Sequence, residues 1–159
     1  MTLRMSLTPP SEQLPPVPEF DIADDYESLV MDICQLLSET DCHFTVSGFG
    51  QEDWPVNVSY DLSSVIEQLP TAISNLQQGL DAEIDLYGQG IERRLNFTRS
   101  GNFVNIRCTS GTKWLPEPDV EVLSHEEATM LLVGLAREFG IAVQRALPDL
   151  AAKTPFAKW

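Results

Sequence analysis

The apolar positions change period several times along the chain, and each change marks an element. From Asp21 to Glu39 they fall at Ile22, Tyr26, Leu29, Val30, Ile33, Leu36 and Leu37. That spacing predicts a helix with acids on its far side, and Asp24 or Asp25 is placed to cap its N-terminus. His43–Phe49 alternates through Phe44 and Val46 and predicts a strand, which Gly48 and Gly50 end. Beyond the loop that carries Trp54, the alternation of Val56, Val58 and Tyr60 predicts a second strand. Asp61-Leu-Ser-Ser then starts a helix that carries Val65, Ile66, Leu69, Ile73 and Leu76 towards Gly79. Pro70 inside it predicts a kink or a split.

A meander follows. Ala82–Tyr87 turns Ile84 and Leu86 inward and Asp81, Glu83 and Asp85 outward, and Ile91–Arg99 turns Leu95 and Phe97 inward. Ser100-Gly-Asn is a hairpin signal, and Phe103–Thr109 returns with Val104, Ile106 and Cys108 inward. Gly111–Pro118 is a loop holding Trp114, and Val120–Val122 is a short edge strand. Ser124-His-Glu-Glu127 is a capping box, in which hydroxyl and carboxylate each satisfy the other residue's backbone donor. The helix it opens carries Leu131, Leu132, Leu135, Phe139 and Val143, and Pro148 stops it. The expected fold class is α+β: an antiparallel sheet of about five strands with helices packed mainly on one face. Residues 1–18, with Pro9, Pro10, Pro15, Pro16 and Pro18, read as a mobile arm; 19–150 read as one domain and 151–159 as a C-terminal tail.

Charge changes the picture more than composition does. The net charge is −14 over 159 residues. Between Met5 and Glu92 there are 17 acids and no Lys or Arg, and then Arg93, Arg94, Arg99, Arg107 and Lys113 arrive together. Such a surface repels nucleic acid, so DNA or RNA binding is not expected, and a directed field towards a basic partner is. No stretch is apolar enough to cross or enter a membrane, and the N-terminus carries no export signal. Cys34, Cys42 and Cys108 are odd in number without a CxxC pair, which points to a reducing, cytoplasmic compartment.

Candidate chemistry is sparse. Cys42 and His43 are neighbours in a strand, so their side chains face opposite ways and cannot pair. No His or Cys spacing suits zinc, and Asp81-x-Glu-x-Asp lacks the glycine and closing glutamate of a calcium loop. Ser124 and His125 belong to the cap. No catalytic residue, metal ligand or cofactor is therefore assigned. What stands out is Glu52-Asp53-Trp54, an aromatic beside two acids on a Gly-bounded loop, with Trp114 posing the same question. Trp supplies contact area and acids steer a basic partner, unless the ring folds back as a lid on the core. The outward Asp81, Glu83 and Asp85 either join such a surface or form ion pairs with the arginines of the next strand.

A compact acidic α+β chain with acids and Trp54 on a loop and no catalytic motif resembles the immunity proteins of bacterial contact-dependent inhibition and related polymorphic toxin systems, over residues 20–150. That resemblance implies an inhibitor that binds a cognate basic toxin domain. The partner-binding residues expected are Glu52, Asp53, Trp54, Asp81, Glu83, Asp85 and Trp114. A carboxylate-based metal-dependent hydrolase, or an adaptor docking through its Pro-rich arm, are the alternatives.

Overall fold

The computed structural model describes residues 2–16, 25–152 and 154–159, so Pro18, Ile22 and Asp24 lie outside it. The fold is α+β with antiparallel sheets. The strands divide into a four-stranded sheet ordered β3-β4-β5-β6 and a two-stranded sheet β1-β2. In the larger sheet β3 spans Ala82–Leu86, β4 Arg93–Ser100, β5 Phe103–Ser110 and β6 Val120–Ser124.

The mobile arm expected at 1–18 is corrected over its described residues, 2–16. Residues Arg4–Thr8 form β1, which pairs antiparallel with β2 (His43–Ser47), placing Met5 opposite Val46 and Leu7 opposite Phe44. Leu3, Met5 and Leu7 are 2%, 4% and 1% exposed. Each such burial stabilises by about 1.5–3 kcal/mol, enough to hold a short strand down against its entropy. The chain beyond β1 is tied down as well: Ser11 bonds Asp41 through its N–H and its hydroxyl, and Leu14 N–H donates to the Ala146 carbonyl. The prolines follow the strand rather than prevent it.

Helix α1 (Tyr26–Leu37) is capped by Asp25, whose carboxylate accepts from Ser28 N–H and is held below the usual carboxylate range by that bond. The strand expected at Val56–Tyr60 is instead a turn of π-helix, Val58–Leu62, running straight into α2 (Ser63–Gln77). Asn57 decides this, because its side chain accepts from the N–H groups of Tyr60 and Asp61 and so nucleates helix where alternation alone suggested strand. Helix α2 also runs unbroken through Pro70. Pro70 has no N–H for the Ile66 carbonyl, and the Tyr26 hydroxyl donates to that oxygen instead, at 3.0 Å.

The capping box at Ser124 and Glu127 is present and opens α3 (His125–Ala146). After α3 the described residues of the C-terminal tail pack back on the core. Pro148 starts a short helix α4 (Pro148–Ala151), and Phe156 is 1% exposed, with its ring edge-on to Phe139 and to Trp159. Gly140 makes room for this return: a Cβ there would lie 2.8 Å from the Phe156 carbonyl oxygen.

Candidate partner-binding face

The outer face of the four-stranded sheet carries the acids expected to face outward. Glu83 and Asp81 are exposed and Asp85 is half-buried. Across the β3–β4 pair, Arg94 reaches both of its neighbours, Nε to Glu83 and Nη2 to Asp85, each at 3.3 Å. Farther across, Arg107 meets Asp119 at 2.6 Å. These are cross-strand pairs on a solvated face, each of the kind that contributes about 0–1 kcal/mol, so they hold no fixed arrangement against a competing charge. Beside them, a cleft of about 360 Å³ is lined by Asp85, Tyr87, Glu92, Arg94, Thr109, Ser110 and Gly111. It joins the sheet face to the start of the 111–118 loop.

That loop meets the loop bearing Glu52 and Asp53. Phe49 and Gly50 take positive φ of 54° and 87°, and a Cβ on Gly50 would lie 2.2 Å from the Glu117 carbonyl oxygen. Only glycine lets the two backbones approach so closely. Glu117 N–H donates to the Phe49 carbonyl at 3.0 Å and fastens the loops together. Glu52, Asp53 and Glu117 are exposed along this junction.

Trp54 is not an exposed anchor, and that expectation is corrected. It is 2% exposed, its indole N–H donates to the Gly48 carbonyl at 3.1 Å, and its ring lies 6.3 Å from Phe49 and 5.8 Å from Trp114. Trp114 is half-buried. Arg93 packs against both indoles, its guanidinium carbon 4.4 Å from the Trp54 ring and 3.5 Å from the Trp114 ring. Arg93 is 3% exposed, its Nε and Nη1 have no hydrogen-bond partner among the described residues, and burial pushes its pKa down. The two π-faces replace a counter-ion, a desolvated arrangement that contributes about 2 kcal/mol. One residue past Trp114, Leu115 is 76% exposed, the most exposed large apolar side chain among the described residues. The corner is thus a bare leucine next to a Trp–Arg–Trp cluster, with acids on the adjoining loop.

Arg93 was legible in the sequence through parity alone, since it shares the face of Leu95 and Phe97; its charge hid it. Glu121 was hidden in the same way. It is 7% exposed on β6, and its carboxylate oxygens accept from Leu3 N–H at 2.6 Å and Phe49 N–H at 2.9 Å, which ties the two sheets together. The reactive side chains are otherwise occupied. His125 bonds the Leu76 carbonyl through Nε2 at 2.6 Å. Cys34, Cys42 and Cys108 are free and buried; burial pushes Cys42 and Cys108 up to about 11, and Cys34 higher still. Thiolate is therefore scarce at neutral pH. Among the described residues, no three His, Cys, Asp or Glu side chains converge closely enough to hold a metal ion, and no helix is long and apolar enough to cross a membrane.

Compared with protein-family models, with curated proteins and with solved structures, the chain matches none of them.

Proposed function

We propose that the chain is an acidic protein-binding module of the immunity type, a cytoplasmic inhibitor that binds and neutralises a basic partner such as a toxin domain. The observation that carries this reading is the corner where the 48–55 and 111–118 loops adjoin. There Leu115 is 76% exposed next to a half-buried Trp114, with Glu52, Asp53 and Glu117 exposed on the same junction. An apolar anchor on a preorganised base, beside acids, is what a basic protein surface recognises: the anchor supplies burial and the acids supply steering. The weakly paired Glu83, Asp85 and Arg94 extend the acidic strip across the sheet, and the net charge of −14 gives it a long-range field.

The test begins with capture by the tagged protein at low and high salt, read by mass spectrometry, followed by affinity measurement on the captured partner. Leu115→Ala is expected to cost about 1–2 kcal/mol of binding. Glu52→Lys with Asp53→Lys is expected to slow association about tenfold at low salt and to flatten the salt dependence. A basic partner bound with unchanged affinity and salt response by both variants removes this surface from the reading. Failure to capture any basic partner at either salt removes the reading itself.

A further inference from the structure

The two edges of the four-stranded sheet are finished differently. At the β3 edge, the Gln68 carboxamide acts as a surrogate strand: its Nε2 donates to the Asp85 carbonyl at 2.8 Å and its Oε1 accepts from Asp85 N–H at 2.8 Å. At the β6 edge nothing equivalent is present among the described residues. Two bonds bracket the β5–β6 ladder, Cys108 N–H to the Asp119 carbonyl at 2.8 Å and His125 N–H to the Asn102 carbonyl at 2.9 Å. Ladder bonds alternate along an antiparallel pair, so between these brackets the residues whose backbone faces β5 are Glu121 and Leu123. The N–H and C=O groups of Val120 and Val122 therefore point away from the sheet. Ser124 N–H also points away, and Glu127 caps it at 2.9 Å.

The side chains beside this open edge suit an added strand. Val122 is 56% exposed and Phe103 is 54% exposed. The register sets Val122 opposite Asn105 and Phe103 opposite Ser124, so the two apolar groups are diagonal neighbours on the outer face. An unpaired edge with exposed apolar neighbours is a template for another strand. Charge selects the occupant. Glu117 and Asp119 are exposed at one end of the edge and Glu126 and Glu127 at the other, and Arg107, held by Asp119, is the one nearby cation on the facing strand. A second copy paired antiparallel through β6 would bring the acids of one end against the acids of the other. A basic strand would be held at both ends.

We infer that the β6 edge is a strand-addition site for an extended segment of a basic partner, with an apolar residue beside Val122 and Phe103 and Lys or Arg towards its ends. The inference rests on the proposed basic-partner reading and names how that partner docks. Backbone bonds to Val120 and Val122 give the contact, and the flanking acids set its charge preference.

The test uses the full chain and a synthetic peptide of alternating valine and threonine with two lysines at each end. Its controls are the same peptide with glutamates for lysines, and one N-methylated at alternate backbone nitrogens. Amide hydrogen exchange is read residue by residue. The lysine peptide is expected to slow exchange at Val120 and Val122, while neither control does so. Val122→Pro, which removes one edge donor where proline is tolerated, is expected to weaken the lysine peptide about tenfold or more; if the proline variant does not fold, Val122→Lys, which keeps the donor and repels the peptide's lysines, is expected to weaken it instead. No protection at Val120 and Val122 up to about 1 mM peptide overturns the inference. Equal binding of the N-methylated peptide does so too, by showing a contact of charge alone. Concentration-dependent protection without peptide, matched by a dimer in sedimentation, would make a second copy the occupant and overturn it as well. A captured basic partner that Leu115→Ala weakens and Val122→Pro does not would sink this inference and leave the proposed function standing.

Discussion

The two edges of one sheet show how the same hazard is met in two ways. Every terminal strand exposes backbone groups that want partners. On the β3 side the chain supplies them from its own helix: α2 lies along the strand, and Gln68 offers Asp85 a donor and an acceptor at strand-like positions. Much of that side's local structure supports this helix. Tyr26 repairs the Pro70 gap, and Asn57 with Asp61 starts the helix. On the β6 side the acids Glu117, Asp119, Glu126 and Glu127 stand at the ends, and among the described residues no backbone group pairs with the middle of the edge at Val120 and Val122. An edge closed by hydrogen bonds is a structural edge. An edge guarded only by charge repels copies of itself yet admits the opposite charge, which makes it selective.

The largest effect that can break this comparison is expected at Gln68. Gln68→Ala leaves the part-buried Asp85 N–H and C=O without partners and removes the bond to the Ser64 carbonyl as well. Orphaned groups of this kind cost about 1–3 kcal/mol each when water cannot reach them, so a loss of about 2–3 kcal/mol in denaturant unfolding is expected. Amide exchange at Asp85 should speed up by more than exchange elsewhere in β3. A loss under about 0.5 kcal/mol would mean that water closes this edge equally well, and the contrast between the edges would lose its basis.

A smaller effect concerns Asp61, on the same side. It is 4% exposed, its Oδ2 accepts from Asn57 N–H at 2.9 Å, and its Oδ1 would lie 2.8 Å from a Cβ on Gly88, just beyond β3. Burial is the larger cause and holds its pKa above the usual carboxylate range, with the Asn57 N–H pulling the other way. The sign follows from linkage. A carboxyl whose folded pKa is raised contributes most stability below its unfolded pKa of about 3.9, and that contribution is lost as pH rises through the folded pKa. At neutral pH the ionised Asp61 is therefore a cost. Asp61→Asn keeps an acceptor for Asn57 N–H and is expected to leave stability at pH 7 equal or higher. It should also steepen the loss of stability on acidification, because the group that offset that loss is gone. Thermal unfolding from pH 7 down to pH 4 checks both. A variant less stable at pH 7 would mean that the charge itself holds the turn before α2.

What the sequence made legible was local, and what it hid was not. The capping box of α3 and the hairpin at Ser100–Phe103 were readable because their partners lie within four residues of each other. β1 is unreadable in the sequence because its partner β2 begins 35 residues after β1 ends, at His43 after Thr8, and the prolines that follow it have the composition of an arm. The turn at Val58–Leu62 was misread because Asn57 overrode an alternation of only five residues. At the candidate site, Glu52, Asp53, Glu83 and Asp85 are nominated by residue type alone, since acids are readable one at a time. Arg93 and Glu121 were missed because two charged side chains on buried faces contradict the polarity rule. Their stabilising neighbours, two indoles from separate loops and two backbone donors from another sheet, come together only in three dimensions. The open β6 edge was half-legible: a short edge strand was expected, but the absence of a surrogate partner among the described residues shows only beside Gln68.

The smallest expected effect is the most discriminating. Val122→Lys places a charge at the centre of the open edge, on a side chain already 56% exposed. Lysine is a common guard of natural edge strands, and surface changes of this kind usually stay within about 0.5 kcal/mol. Stability should therefore hardly move, with the midpoint and slope of denaturant unfolding both kept. Affinity for the basic peptide should fall, because the new ammonium repels the charges that Glu117, Asp119, Glu126 and Glu127 attract. Gln68→Ala should do the reverse, costing stability while peptide affinity at the far edge persists in the folded fraction. This crossed outcome is what separates an edge the fold needs from an edge it leaves for a partner. If Val122→Lys instead destabilised the chain as much as Gln68→Ala, the β6 edge would be packed against something the fold itself supplies, and it would no longer be available to a second protein.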